Sequence, residues 1–193
     1  APVGLTFSDV SVTVQRNGPL LASGTIRRVV IALGSNVGDG PGQLDAAIDA
    51  IGSLDLCITG VSGYQSTDPV LAPDQEPQPR YTNAVMTVTT AMSPLALLDE
   101  LQRIEVRGGR VRNRRWGPRT IDLDVIDVEG IVSDNPRLTL PHPRAGERAF
   151  VLEPWAQIEP DATLGGMPVV QLLEGLRRRA ADSERLSGLD SNA

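Results

Sequence analysis

Residues 120–128 read TIDLDVIDV. From Ile121 to Val125 apolar and acidic residues alternate, the period of a strand with two unlike faces. Ile121, Leu123 and Val125 would share one face. Asp122 and Asp124 would share the other, their Cα atoms about 6.6 Å apart after two residue rises. This stretch decides the fold through what precedes it. Ser93–Pro94 opens a helix, with serine as N-cap and proline in the first turn, and Leu97, Leu98, Leu101 and Ile104 give it a buried stripe. Before that helix, Tyr81–Thr90 alternates as a third strand and residues 56–65 read as a second. Leu44, Ala47, Ile48 and Ile51 fall at i, i+3, i+4 and i+7, a helix with one inward face. Arg27–Leu33 (RRVVIAL) is a continuous apolar run after two charges, the pattern of a central strand. The order β-α-β-β-α-β predicts a ferredoxin-like α+β sandwich, a mainly antiparallel sheet with helices packed on one face.

Two long irregular stretches interrupt this pattern. Ser66–Arg80 (STDPVLAPDQEPQPR) is dense in proline, and Arg107–Arg119 is basic and glycine-bearing. Loops of that length in a compact domain are usually functional or mobile. At the N-terminus, Leu5–Arg16 contains a strand-like VSVTV, broken by NGP and followed by LLASGT, which has linker composition. Val169–Arg179 reads as a helix and Asp182 onward as a frayed tail. The expected division is an extension and linker over 1–24, a main domain over 25–180 and a flexible tail over 181–193.

Composition narrows the function. The net charge of −6 argues against broad nucleic-acid or anionic-membrane binding. All 18 basic residues are arginine, so a P-loop, which needs lysine, is excluded. Any phosphate must be held by arginine, backbone N–H groups or metal, and the arginine fork grips phosphate bidentately. Cys57 is the single cysteine, which rules out an internal disulfide and fits a reducing cytoplasm. Its apolar neighbours predict a core position. No apolar run is long enough for a membrane span. The N-terminus lacks a basic segment followed by an apolar one, so no signal peptide is expected.

Asp122 and Asp124 on one strand face could ligate one or two oxygen-seeking cations. Mg²⁺ suits such a pair, since it takes few protein carboxylates and completes its shell with water and substrate phosphate. The alternative is a solvated strand face with ordinary polar residues. Upstream, Arg103, Arg107, Arg110, Arg112, Arg114, Arg115 and Arg119 crowd a short stretch of an acidic chain. Metal-binding acids beside an arginine loop are what a nucleotide phosphate chain needs.

RWGPRTIDLD (115–124), LPHPRAGERAFVLEP (140–154), ALGSNVGD (32–39) and YTNAV (81–85) together closely resemble the 6-hydroxymethyl-7,8-dihydropterin pyrophosphokinases of folate biosynthesis, over about Arg28 to Leu176. The resemblance implies a ferredoxin-like fold and transfer of pyrophosphate from ATP to the hydroxymethyl of the dihydropterin, with AMP as the second product. It implies that Asp122 and Asp124 hold two Mg²⁺ ions and that Asp124 helps deprotonate the attacking hydroxyl. Arg110 and Arg119 match family arginines at the phosphates. Gln102, Glu105, Arg112, Arg115, Thr139, His142 and Arg148 are placed on the ATP side. Gln102 and Glu105 are three apart on a helix and so are expected to share a face. For the pterin, Tyr81 and Phe150 match the sandwiching pair and Asn83 the side chain that reads its edge. Thr67, Pro69 and Val70 line the pocket, and Trp116 caps it. Core packing is the alternative for Phe150. The stretches 66–80 and 107–119 then read as lids that exclude water from the transfer.

GLTFSDVSVTVQR (4–16) resembles the closing strand of dihydroneopterin aldolase. It implies a chain that is part of, or associated with, that enzyme. An extra strand or an unstructured leader is the alternative. Two rivals to the kinase reading use the same topology. A palm-like nucleotidyltransferase also sets paired aspartates on such a sheet, but would need template or primer contacts. An RNA-binding module reads bases with exposed strand aromatics, which the central strands lack apart from Tyr81.

Overall fold

The computed structural model describes residues 18–36, 39–68, 73–77, 80–108 and 121–190. The elements are α1 (Gly18–Leu21), β1 (Arg27–Ser35), α2 (Gly40–Gly52), β2 (Cys57–Val61), β3 (Gln65–Thr67), β4 (Tyr81–Thr90), α3 (Pro94–Arg107), β5 (Asp122–Val128), β6 (Ser133–Asn135), β7 (Leu138–Leu140), α4 (Ala149–Ile158), β8 (Thr163–Leu164), β9 (Met167–Pro168) and α5 (Val169–Asp190). A single 3₁₀ turn, Ala145–Glu147, leads into α4.

The main sheet runs β2-β4-β1-β5, with β3 continuing the β2 side of β4. Every pairing in it is antiparallel. The most apolar strand, β1, lies inside, between β4 and β5, as its uninterrupted run requires. Capping sets both helix starts on the first face. Asp39 accepts from the Gly42 N–H ahead of α2, and Ser93 accepts from the Ala96 N–H ahead of α3. Leu44, Ala47 and Ile51 of α2 and Leu97, Leu101 and Ile104 of α3 then bury against Ile31 and Leu33 of β1 and Leu123 and Val125 of β5.

The second face is covered too, which corrects the expectation of helices on one face. Val151, Leu152 and Trp155 of α4 and Val169 and Leu173 of α5 form a second core with Val30, Val85 and Ile126. The sequence hides α4 because Pro154 lies inside it, where it supplies no N–H to the preceding turn. The helix α5 continues to Asp190, beyond the Arg179 expected for its end. A register shift in the β1–β5 ladder, between Val30 and Ile31, lets both cores share β5: Val125 and Val128 face the first, and Ile126 the second.

Residues 56–65 do not form one strand: β2 ends at Val61 and β3 begins at Gln65. The predicted irregular stretch 66–80 therefore starts with two strand residues, Ser66 and Thr67. Cys57 is exposed, not in the core, because β2 is the edge strand.

Candidate active site

The strand register builds the site's floor. Gly34 of β1 is paired with Asn83 of β4 on one side and with Asp122 of β5 on the other. One row further along, Ala32 is flanked by Val85 and Asp124. Paired residues point to the same face, so an amide and two carboxylates stand across one glycine and one alanine. Two interstrand spacings put Asn83 and Asp122 about 10 Å apart at their Cα atoms. A Cβ at Gly34 would lie 3.2 Å from Asn83 Oδ1, so glycine keeps the middle of the floor open.

A cavity of about 520 Å³ sits on this floor. Thr67, Tyr81 and Asn83 line one side, Asp122 and Asp124 the other, and Arg148 and Phe150 close it from the start of α4. These are the residues expected to meet pterin, metal and ATP, drawn from four separate segments. The Asn83 amide is held: its Nδ2 donates to Thr67 Oγ1 at 2.6 Å. Phe150 is only partly buried and faces the cavity while packing on the second core, so the core alternative describes one side of its ring. Arg148 spans the two halves. Its guanidinium lies 5.6 Å from the Phe150 ring centroid and 4.0 Å from Asp124 Oδ2.

His142 stands beside this arrangement, half-buried. Its backbone N–H donates to Ile126 O at 2.7 Å, and its Nδ1 accepts from the Arg144 N–H at 3.2 Å. With Nδ1 used as an acceptor, the neutral ring carries its proton on Nε2. Burial pushes its pKa below the ordinary histidine value. Asp124 pulls it back up, and Arg148 and Arg144 push it further down.

Other expected residues are placed elsewhere. Gln102 lines a separate groove along α3 with Asp99 and Arg103. Glu105 does not share that exposure: it is 4% exposed, and its Oε1 accepts from the Leu123 N–H at 2.8 Å. The last turn of α3 rolls Glu105 under the sheet, so i, i+3 spacing alone misplaces it. The Thr139 hydroxyl donates to Asn135 O within the β6–β7 hairpin. Pro69, Val70, Arg110, Arg112, Arg115, Trp116 and Arg119 lie outside the described residues. Sequence reading missed Arg144, Glu147 and Asp68, which also line the cavity. Arg144 and Glu147 stood inside the quoted PHPRAGER segment, but only the 3₁₀ turn aims them inward.

Among the described residues no three His, Cys, Asp or Glu side chains are grouped to hold a metal. The pair Asp122 and Asp124 offers hard oxygen donors only. That set fits a cation that takes most of its shell from water and phosphate.

Comparison with known proteins decides between the rival readings. The family model described as 7,8-dihydro-6-hydroxymethylpterin-pyrophosphokinase matches residues 30–160. The chain belongs to this family. It is 43% identical over 160 residues to the 2-amino-4-hydroxy-6-hydroxymethyldihydropteridine pyrophosphokinase of Pseudomonas aeruginosa, covering 79% of this chain and 97% of that one. To the Mycobacterium bovis protein of the same name it is 37% identical over 173 residues, covering 82% and 89%. A crystal structure of Plasmodium falciparum HPPK-DHPS shares the fold, with a TM-score of 0.63 at 13% identity, over 85% of this chain and 47% of that longer one. As a pyrophosphokinase of this family, the protein transfers pyrophosphate from ATP to 6-hydroxymethyl-7,8-dihydropterin in folate biosynthesis. Among the described residues no helix is long and apolar enough to cross a membrane.

Proposed function

We propose that this pyrophosphokinase carries out the transfer across the floor built by Asn83, Gly34 and Asp122, with the dihydropterin on the Tyr81–Asn83–Phe150 side and the ATP phosphates over Asp122 and Asp124. The observation that carries the reading is the single cavity in which an aromatic pair, a fixed amide, two carboxylates and Arg148 converge. Thr67 fixes the Asn83 amide so that Oδ1 is free to accept from the donor edge of a flat heterocycle. Arg148, poised between Phe150 and Asp124, offers a guanidinium to the phosphate in flight.

Asp122 and Asp124 would hold two Mg²⁺ ions, which would neutralise phosphate oxygens and orient the chain for in-line displacement. The hydroxymethyl oxygen forms a bond to the β-phosphorus, and the bond from that phosphorus to the α,β-bridging oxygen breaks. AMP leaves with that electron pair, and Asp124 takes up the hydroxyl proton. His142 turns Nε2–H toward the nucleotide as a neutral donor. The loop arginines Arg110, Arg112, Arg115 and Arg119, with Trp116, complete the set in this reading. Closure of 66–80 and 107–119 keeps water from taking the pyrophosphate. If amide exchange in both stretches is unchanged by an ATP analogue plus pterin, closure is wrong.

The deciding assay is AMP release from MgATP with and without the dihydropterin. Asp122→Ala and Asp124→Ala are each expected to lose at least about 100-fold in rate with an unchanged circular dichroism spectrum, and chelation of Mg²⁺ should abolish turnover. Full activity in either variant contradicts the metal assignment. The N-terminal resemblance supports a second element of the proposal, that the chain is part of or associates with dihydroneopterin aldolase in the cytoplasm. Residues 1–17, which carry it, lie outside the described residues. Co-elution with such an aldolase, lost on deleting 1–24, tests it.

A further inference from the structure

Glu105 is the one charged residue on the buried stripe of α3, among Leu97, Leu101 and Ile104. A carboxylate in that position is costly unless it is hydrogen-bonded. Its Oε1 accepts a hydrogen bond from a specific backbone group, the Leu123 N–H, at 2.8 Å in a buried setting. Leu123 is the residue between Asp122 and Asp124. It belongs to β5, the end strand of the sheet among the described residues, so no described strand takes that N–H. The carboxylate does what a neighbouring strand would do, from the helix side, directly behind the two acids.

From this we infer that Glu105 is a positioning residue: by accepting the Leu123 N–H it fixes the backbone on which Asp122 and Asp124 are mounted, and so sets the spacing of their carboxylates toward the cation. The inference rests on the proposal that Asp122 and Asp124 bind Mg²⁺. Its physical content is leverage. Leu123 packs on the first core, while its two neighbours face the cavity on the other side of the strand. If the 122–123 peptide loses its partner and tilts toward solvent, both acids shift together. Groups that hold metal ligands in place typically matter about 10- to 100-fold in metal affinity. The role needs an acceptor oxygen, not a negative charge, and this separates it from a Glu105 that contacts the nucleotide or its cation by charge.

The test compares Glu105→Gln, which keeps an acceptor oxygen, with Glu105→Ala and the space-filling Glu105→Met, which do not. Two quantities are read on the full chain: amide hydrogen exchange at Leu123 by NMR, and the affinity for Mn²⁺ in the presence of a non-hydrolysable ATP analogue. The expected result is a slow Leu123 amide and unchanged Mn²⁺ affinity in wild type and Gln. In Ala and Met the amide exchanges fast and the affinity falls about 10- to 100-fold. Wild-type Mn²⁺ affinity in Ala or Met overturns the inference, as does a Gln variant that keeps the Leu123 amide slow yet loses affinity. Should neither truncated variant fold, the wild type still decides: a fast Leu123 amide in the intact protein overturns it. Asp122→Ala and Asp124→Ala are measured alongside. If they too bind Mn²⁺ like wild type, the metal reading has failed. If they lose it while Ala or Met does not, only the role of Glu105 has failed.

Discussion

At Gly34 the absence of a side chain keeps the cavity floor open. Its pairing with Asn83 and Asp122 puts any added Cβ into the cavity floor, 3.2 Å from Asn83 Oδ1. Gly34→Ala therefore makes the Asn83 amide give by a few tenths of an ångström and, in the proposed binding mode, crowds the pterin edge. We expect the KM for pterin to rise about tenfold, about 1.4 kcal/mol, with the KM for ATP changed much less; equal changes in both would refute the floor assignment. Arg28 offers a pH test. It pairs with Glu159 and lies 3.9 Å from Asp127. Burial raises the Asp127 pKa, and Arg28 is the charge that opposes the rise. A folded pKa above the unfolded one means that folding is most favoured with the carboxyl protonated, and that this contribution is lost as pH rises through the folded value. Arg28→Ala removes the opposing charge and leaves Asp127 and Glu159 facing each other. The variant should therefore lose more stability at pH 7 than at pH 4 in denaturant unfolding; an equal loss at both pH values would exclude the charge explanation. Asp122 and Asp124 were legible as a pair because strand alternation alone puts them on one face. Glu105 was not, since helical spacing gives neighbours along the helix and says nothing about which neighbour rolls under the sheet.

Among the elements, α3 connects stability to the site. It starts where Ser93 Oγ accepts the Ala96 N–H, and it ends by delivering Glu105 to β5. Ser93→Ala removes the cap, with an expected cost of about 1 kcal/mol in urea unfolding. A loss below the error of that measurement would mean that packing alone sets the start of α3. The start of α3 and the span of β4 were readable because the Ser93–Pro94 cap and an uninterrupted alternation mark them locally, whereas for α2 and β1 the periodicity gave the element but not its ends. The helix α4 was not, because Pro154 is a local argument against helix that burial of Val151, Leu152 and Trp155 overrides. The edge position of β2, and with it the exposure of Cys57, depends on which strands pair, a fact absent from any local window.

At the scale of the molecule the described residues form a sheet between two cores, and the candidate cavity opens on the side of the second. Trp155, fully buried in that core, also donates through Nε1 to Glu159, which pairs with Arg28 of β1. Trp155→Ala is expected to cost about 3–5 kcal/mol by thermal or urea unfolding. It should loosen α4, so that pterin binding weakens through Phe150; full stability would show that the second core is dispensable. The sequence by itself determined the alternation of strands and helices apart from the split of the second strand, the Ser93 cap, the paired acids and the family motifs, because each is written in residues near one another along the chain. Only the tertiary structure decided that Thr67, Asn83, Asp122 and Phe150 share one cavity, that helices cover both faces, and that Glu105 stands behind the acids. Those facts depend on strand pairing and on burial summed over the whole sheet, and neither quantity exists until the chain has closed on itself.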